Sequence, residues 1–179
     1  MAGTPTKPMS FAEFEQLPDP PAGHFELRHG ELTIVAPPRW DHFLCQERVR
    51  RLLADASGAA WLAGTEMAFR PTPEGNFIHA DVGLLSWKRA EAVPAKQYLL
   101  GAPELVVEIL SPSNTDAEVR EKKRLCLENG SREFWVVDLD RCEVEVSTPN
   151  GLTVTYKAGQ QIPRFFASGP GLPVDRIVA

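Results

Sequence analysis

Residues Pro103-Glu-Leu-Val-Val-Glu-Ile-Leu110 form a nearly continuous apolar run, closed by Ser111-Pro112. A run of this length without polar alternation reads as a central strand covered on both faces, as in a sheet with helices above and below. Downstream, residues 113–129 read as a helix stopped by Gly130, and Glu133-Phe-Trp-Val-Val-Asp138 as a second buried strand. With the elements around them, these segments give the order helix, strands, helix, strands of a mixed α/β sheet.

Upstream, Ser10 can cap a short helix over 11–17, with Glu13 at the capping-box position. Phe25-Glu-Leu-Arg28 and Glu31-Leu-Thr-Ile-Val35 flank His29-Gly30 and read as a hairpin. Asp41 is expected to cap a helix running to about residue 56. Phe43, Leu44, Val49, Leu52 and Leu53 form its buried face, while Gln46, Glu47, Arg48, Arg50 and Arg51 stay solvated. Strands over 60–70 and 77–85 follow, then a loop over 87–101 that exposes Lys88, Arg89 and Lys96. After the second buried strand, 142–147 and 153–156 form a hairpin around Pro149-Asn150-Gly151. The fold class is therefore α/β: a mixed central sheet flanked by helices, with an N-terminal hairpin extension. One domain over 1–179 is expected, with 1–9 and 161–179 peripheral.

Composition sets limits on function. A 43% hydrophobic fraction against 24% charged residues supports a packed core, which excludes wholesale disorder. No apolar run approaches the roughly 18 residues of a membrane span. The first ten residues lack the apolar segment of a signal peptide, so a cytoplasmic protein without a membrane partner is expected. The formal net charge of -5 argues against coating nucleic acid by bulk electrostatics. A nucleic-acid enzyme of this charge needs a local basic groove, bound metal cations or a second subunit. Cys45, Cys126 and Cys142 form no CxxC pair and read as small buried hydrophobes.

Charged residues inside apolar segments carry the functional signal, because burying them is costly unless something compensates. Glu108 interrupts the central strand, unless it faces the strand's wet end. Asp81 interrupts Ile78-His-Ala-Asp-Val-Gly-Leu-Leu85, unless it opens the strand as a turn residue. Two carboxylates on neighbouring central strands resemble a ligand pair for a hard cation such as Mg²⁺. On the following helix, roughly 100° per residue places Lys122 within the stripe of Val119, Leu125, Cys126 and Asn129. It is thus aimed at the sheet, either as an ammonium directed at the carboxylates or as a snorkelling lysine. Glu26, taken alone, reads as a solvated glutamate paired with Arg28, and His42 as a core or interface histidine. His24, His29 and His79 lack the i, i+4 spacing of a zinc-binding helix, and no HExxH, GxSxG or glycine-rich phosphate loop is present.

Taken together, Phe25-Glu-Leu-Arg-His-Gly-Glu31, His42, Ala80-Asp-Val82, Ala102-Pro-Glu-Leu-Val-Val-Glu-Ile-Leu-Ser-Pro-Ser113, Glu121-Lys122 and Gly130-Ser-Arg-Glu-Phe-Trp-Val-Val-Asp138 resemble the Uma2 family. That family is grouped with the PD-(D/E)xK nucleases of restriction-endonuclease-like fold. The resemblance covers about residues 10–157. It implies that Asp81 is the motif's aspartate, Glu108 its glutamate and Glu26 an early glutamate facing the same site. The motif's usual lysine position holds Leu110, and the resemblance places the lysine on the helix as Lys122. Ala80, Cys126 and Ser131 depart from the family's usual proline, tyrosine and valine.

The resemblance implies a metal-dependent endonuclease that hydrolyses phosphodiester bonds of nucleic acid, with DNA as the first candidate. Asp81, Glu108, the Ile109 carbonyl and Glu26 would ligate Mg²⁺ or Mn²⁺, and a homodimer is one expected arrangement. Lys122, its pKa depressed, would orient or deprotonate the attacking water. The alternatives are a non-catalytic nucleic-acid-binding or interaction module on the same fold, or a metal hydrolase with another substrate.

Overall fold

The computed structural model describes residues 7–112 and 114–179. The expected start of a helix at Ser113, and residues 1–6 of the expected N-terminal periphery, lie outside these.

Helix α1 (Phe11–Phe14) is opened by the Ser10/Glu13 capping box. It leads into a hairpin of β1 (His24–Arg28) and β2 (Glu31–Val35), which pair antiparallel. His29 and Gly30 both have positive φ, at 51° and 79°, as a two-residue hairpin turn of type I′ needs. A Cβ at Gly30 would lie 2.4 Å from the Pro8 Cβ. Gly30→Ala therefore combines backbone strain with a clash, and we expect it to cost about 2 kcal/mol in thermal denaturation.

Helix α2 (Trp40–Ser57) begins one residue before Asp41, with Arg39 as its N-cap and no side-chain capping bond. Its buried face is also rotated from expectation. Phe43 and Leu44 are 39% and 38% exposed, whereas Cys45 and Gln46 are buried beside Val49, Leu52 and Leu53. Gln46 was expected in solvent; its burial follows from polar partners described below.

Strands β3 (Trp61–Arg70) and β4 (Ile78–Ser86) form the longest antiparallel pair. The expected loop over 87–101 contains a short helix, α3 (Trp87–Glu91), and strand β5 (Leu99–Leu100), which pairs parallel with β3. Arg89, expected to be exposed, is half-buried and pairs with Glu104 at 3.0 Å. The expected strand, helix and strand are present as β6 (Leu105–Ile109), α4 (Asp116–Glu128) and β7 (Glu133–Asp138), and the structure pairs β6 and β7 in parallel, which makes them a βαβ unit. Thr115 and Glu118 form a capping box at the start of α4. Next come the antiparallel β8 (Glu143–Ser147) and β9 (Thr153–Lys157), then β10 (Gln161–Ile162), β11 (Leu172–Pro173) and α5 (Asp175–Val178).

The central sheet has seven strands in the order β5-β3-β4-β6-β7-β8-β9, with mixed directions. One face packs under α2: Cys45, Val49 and Leu53 against Val82, Val107, Ile109 and Trp135. The other face packs under α4: Leu125 and Cys126 against Ala80, Val106 and Phe134. Residues 161–179 are not merely peripheral. Ile162, Val174 and Ile177 are fully buried in the α2-side core, because the end of α2 needs an apolar cover. Cys142 is exposed at a positive-φ turn, so only Cys45 and Cys126 behave as buried hydrophobes. Among the described residues, no helix is long and apolar enough to cross a membrane.

Candidate active site

The sheet changes face at one point. Alternate residues of a regular strand stay on one face, yet Ile78 and Ala80 belong to the α4-side core while Val82 and Leu84 belong to the α2-side core. On β3, Ala63 packs on the α2 side and Met67 on the α4 side. The reversals meet at Glu66 and Asp81, the step missing from the β3–β4 pairing between Thr65↔Val82 and Met67↔Ala80. Glu66 has φ 48°, a left-handed conformation that a non-glycine residue occupies only under strain.

The β4–β6 pairing ends here too, at Val82↔Val107. One step further in the same register sets Asp81 opposite Glu108. Side chains replace the missing backbone pairs: Ile109 N–H donates to Asp81 Oδ2 at 2.7 Å, and Asp81 N–H donates to Glu108 Oε1 at 3.4 Å. Since the N–H and C=O of one strand residue point to the same side, the Ile109 carbonyl also faces the Asp81 edge.

Helices from both layers reach this gap. From α4, Lys122 Nζ lies 2.8 Å from Glu108 Oε1 and 4.0 Å from Glu26 Oε1. The neighbouring Lys123 turns away, to Glu145 on β8. From α2, the Gln46 amide donates to Glu66 and, at 3.2 Å, to Asp81 Oδ1. His42 Nε2 stands 3.1 Å from the same Asp81 oxygen, an ion-pair distance without hydrogen-bond alignment. Glu26, on β1, is 2% exposed rather than solvated. Its Oε2 accepts from Arg28 at 2.6 and 2.9 Å, and its Oε1 accepts the His79 N–H at 2.9 Å. The hairpin is thereby fastened to β4, and Leu27 adds a bridge to Phe77. Glu26, Asp81, Glu108, Ile109 and Lys122 all line one cavity of about 660 Å³, with His42 at its wall.

The electrostatics are those of a carboxylate cluster short of positive charge. Burial pushes the Glu108 carboxyl up to about 8, with the adjacent Asp81 charge adding to it against the opposing pull of Lys122. Burial also opposes ionisation of Asp81, but His42, Lys122 and the Ile109 N–H hold it below the usual aspartate range. For Glu26, burial is outweighed by Lys122, His24 and Arg28, so its carboxyl lies well below the ordinary value. Burial alone would lower the Lys122 pKa. The charges of Glu108, Glu26 and Asp81 prevail and raise it above the usual lysine range. The expected depressed lysine is therefore corrected: Lys122 is a firmly charged ammonium here. His42, expected in a core or interface, instead faces the carboxylates, and its pKa is raised because Asp81, Glu66 and Glu108 outweigh its burial.

A sequence profile of the Uma2 family, described as "Putative restriction endonuclease", matches residues 11–175. The chain belongs to the Uma2 family. A solved structure of similar fold is "a putative nuclease belonging to DUF820" from Anabaena variabilis. It is 21% identical, with a TM-score of 0.83 over 96% of this chain and 98% of that one. At that identity the likeness speaks for the fold. No curated protein matches the chain. Two of this Uma2 chain's departures are accommodated by packing. Ser131 Oγ donates to the Pro103 carbonyl at 2.7 Å, and Cys126 is buried against the sheet. Sequence alone does not mark Gln46 as a site residue, and it marks His42 only as part of the family pattern. Glu66 carried no signal at all, since its role depends on a strained φ.

Proposed function

We propose that this Uma2 chain is a metal-dependent endonuclease that hydrolyses phosphodiester bonds, with DNA as substrate. The observation that carries the reading is the meeting of Asp81, Glu108 and Lys122 where backbone pairing between β4 and β6 stops.

The donor set suits a hard dication: two carboxylates and a carbonyl, oxygen only, as Mg²⁺ and Mn²⁺ prefer. The electrostatics agree with the fit: burial and the neighbouring Asp81 charge raise the Glu108 pKa despite Lys122, and a dication between the two carboxylates would offset both. Asp81, Glu108 and the Ile109 carbonyl would hold the ion. Bound there, the ion would supply Lewis-acid polarisation of the phosphodiester and charge stabilisation of the leaving oxyanion. Lys122, held charged by its neighbours, orients the attacking water and offsets charge developing on the phosphoryl oxygens; a general-base role is disfavoured by its raised pKa. Glu26, between Arg28 and Lys122, positions the ammonium. Gln46 fixes the Asp81 carboxylate from the α2 side.

Carboxylates outnumber Arg28, Arg39 and Lys122 in the cavity lining, so a bound dication would have to supply the positive potential that draws a phosphodiester into this acidic protein. Gln46→Ala should weaken divalent-metal binding by about tenfold or more while the chain stays folded, because it removes a donor that orients a ligand. Isothermal titration checks this. The reading itself is tested by a cleavage panel of duplex DNA, single-stranded DNA and RNA with Mg²⁺ or Mn²⁺, using Asp81→Ala as control. Metal-dependent cutting lost in the control supports it. Binding without cutting favours the non-catalytic module.

A further inference from the structure

Beside the Asp81–Glu108 pair, a second group gathers at the junction of the N-terminal hairpin with β4. His24 and Glu26 come from β1 and His79 from β4. Glu26 Oε1 lies 3.9 Å from His24 Nε2 and 3.8 Å from His79 Nδ1. One donor atom from each of the three residues lies within 4.8 Å of the other two. Both ring nitrogens are buried, and neither has a hydrogen-bond partner among the described residues. Unpartnered buried nitrogens are costly, and two within 4 Å of one carboxylate oxygen make a specific feature.

The separations exceed hydrogen-bond length. They are close to the spacing of ligands around one ion: tetrahedral zinc with bonds of about 2.1 Å separates its ligand atoms by about 3.4 Å. The two carboxylate-to-nitrogen distances need to close by about 0.5 Å, and the two ring nitrogens, within 4.8 Å of each other, by no more than about 1.4 Å. Its parts are already fixed. Arg28 holds Glu26 Oε2, the His79 N–H holds the carboxylate's other oxygen, and the two imidazoles pack with centroids 3.8 Å apart.

Two imidazoles and one carboxylate form a softer donor set than the oxygen-only Asp81, Glu108 and Ile109 group. Such a set selects transition-metal dications over Mg²⁺ and leaves a position open for water.

We propose that His24, Glu26 and His79 bind a transition-metal dication of the zinc class at a centre distinct from the Asp81–Glu108 pair. The ion clamps the hairpin to β4 and so fixes the carboxylate that faces Lys122. Sequence spacing hid this centre: the two histidines are 55 positions apart on different strands, and only the hairpin's return onto β4 brings them together.

The test is metal binding by stripped protein, read by Zn²⁺ calorimetry and by the visible spectrum of Co²⁺, and it does not depend on whether the chain cleaves nucleic acid. Wild type and Asp81→Asn should each bind one equivalent in the presence of millimolar Mg²⁺. His24→Ala and His79→Ala should each weaken binding tenfold or more, with circular dichroism unchanged. His24 lies on a two-stranded hairpin, so its replacement keeps the fold even if that of His79 does not. His29→Ala, on the same hairpin but paired with Glu121, should bind as wild type does. No Zn²⁺ binding by wild type, binding indifferent to both histidine variants, or binding lost in Asp81→Asn would overturn the proposal.

Discussion

Asp81→Ala and Lys122→Ala should each lower Mg²⁺-dependent cleavage by on the order of 10³-fold or more. The reasons differ. Asp81 offers one oxygen to the Ile109 N–H and the other to Gln46 and His42, so its loss removes a prospective metal ligand and releases the β6 edge. Lys122 supplies the cation between Glu108 and Glu26, and in the proposed reaction its loss would leave the developing charge uncompensated. Lys122→Ala also strands two buried carboxyls, which costs about 3 kcal/mol in metal-free protein. Lys122→Arg keeps the charge but not its compact shape, so it should recover stability more than activity. Initial rates beside melting temperatures separate the two effects. Cutting at wild-type rate by either alanine variant would remove that residue from the chemistry.

The second large effect is on stability against pH. The folded-state pKa of Glu108 is raised from 4.5 to about 8. A folded chain then keeps a proton that the unfolded chain releases. The stability contributed by this group is complete below about pH 4.5 and is lost as pH rises through about 8. Metal-free wild type should therefore lose a few kcal/mol between those limits relative to Glu108→Gln, whose amide can still accept from Lys122. Glu26 acts in the opposite sense and below the window, since its pKa is depressed. Its stabilisation fades only in acid. A dication bound to the ionised form reverses the Glu108 trend, so metal affinity should rise with pH up to about 8. Denaturant titrations of both proteins across this range are the check. Parallel pH profiles would mean that Glu108 holds no proton in the fold.

How far this was legible from sequence follows from what each signal depends on. Glu108 stood out because a central strand demands hydrophobes, and Lys122 because helical periodicity fixes direction within a turn. Both are local consequences of regular geometry. The hairpin turn at His29-Gly30 was equally local. Gln46 was not legible. Its residue type points to solvent, and only its bonds to the Asp81 and Glu66 carboxylates make its burial favourable. Phe43 and Leu44 were placed in the core on hydrophobicity alone, although the face of α2 is set by where the sheet turns. That turn depends on Glu66 at φ 48°, which no pattern of side chains announces. His24 and His79 are a tertiary coincidence of the same kind.

Calorimetric titration of Mn²⁺ into metal-stripped wild type and Asp81→Ala, with Zn²⁺ occupying any softer site, most directly tests whether the carboxylate gap between β4 and β6 holds a hard dication. Saturable binding in the micromolar-to-millimolar range that disappears in Asp81→Ala is the predicted result. Equal binding by both proteins, or none by wild type, would contradict it.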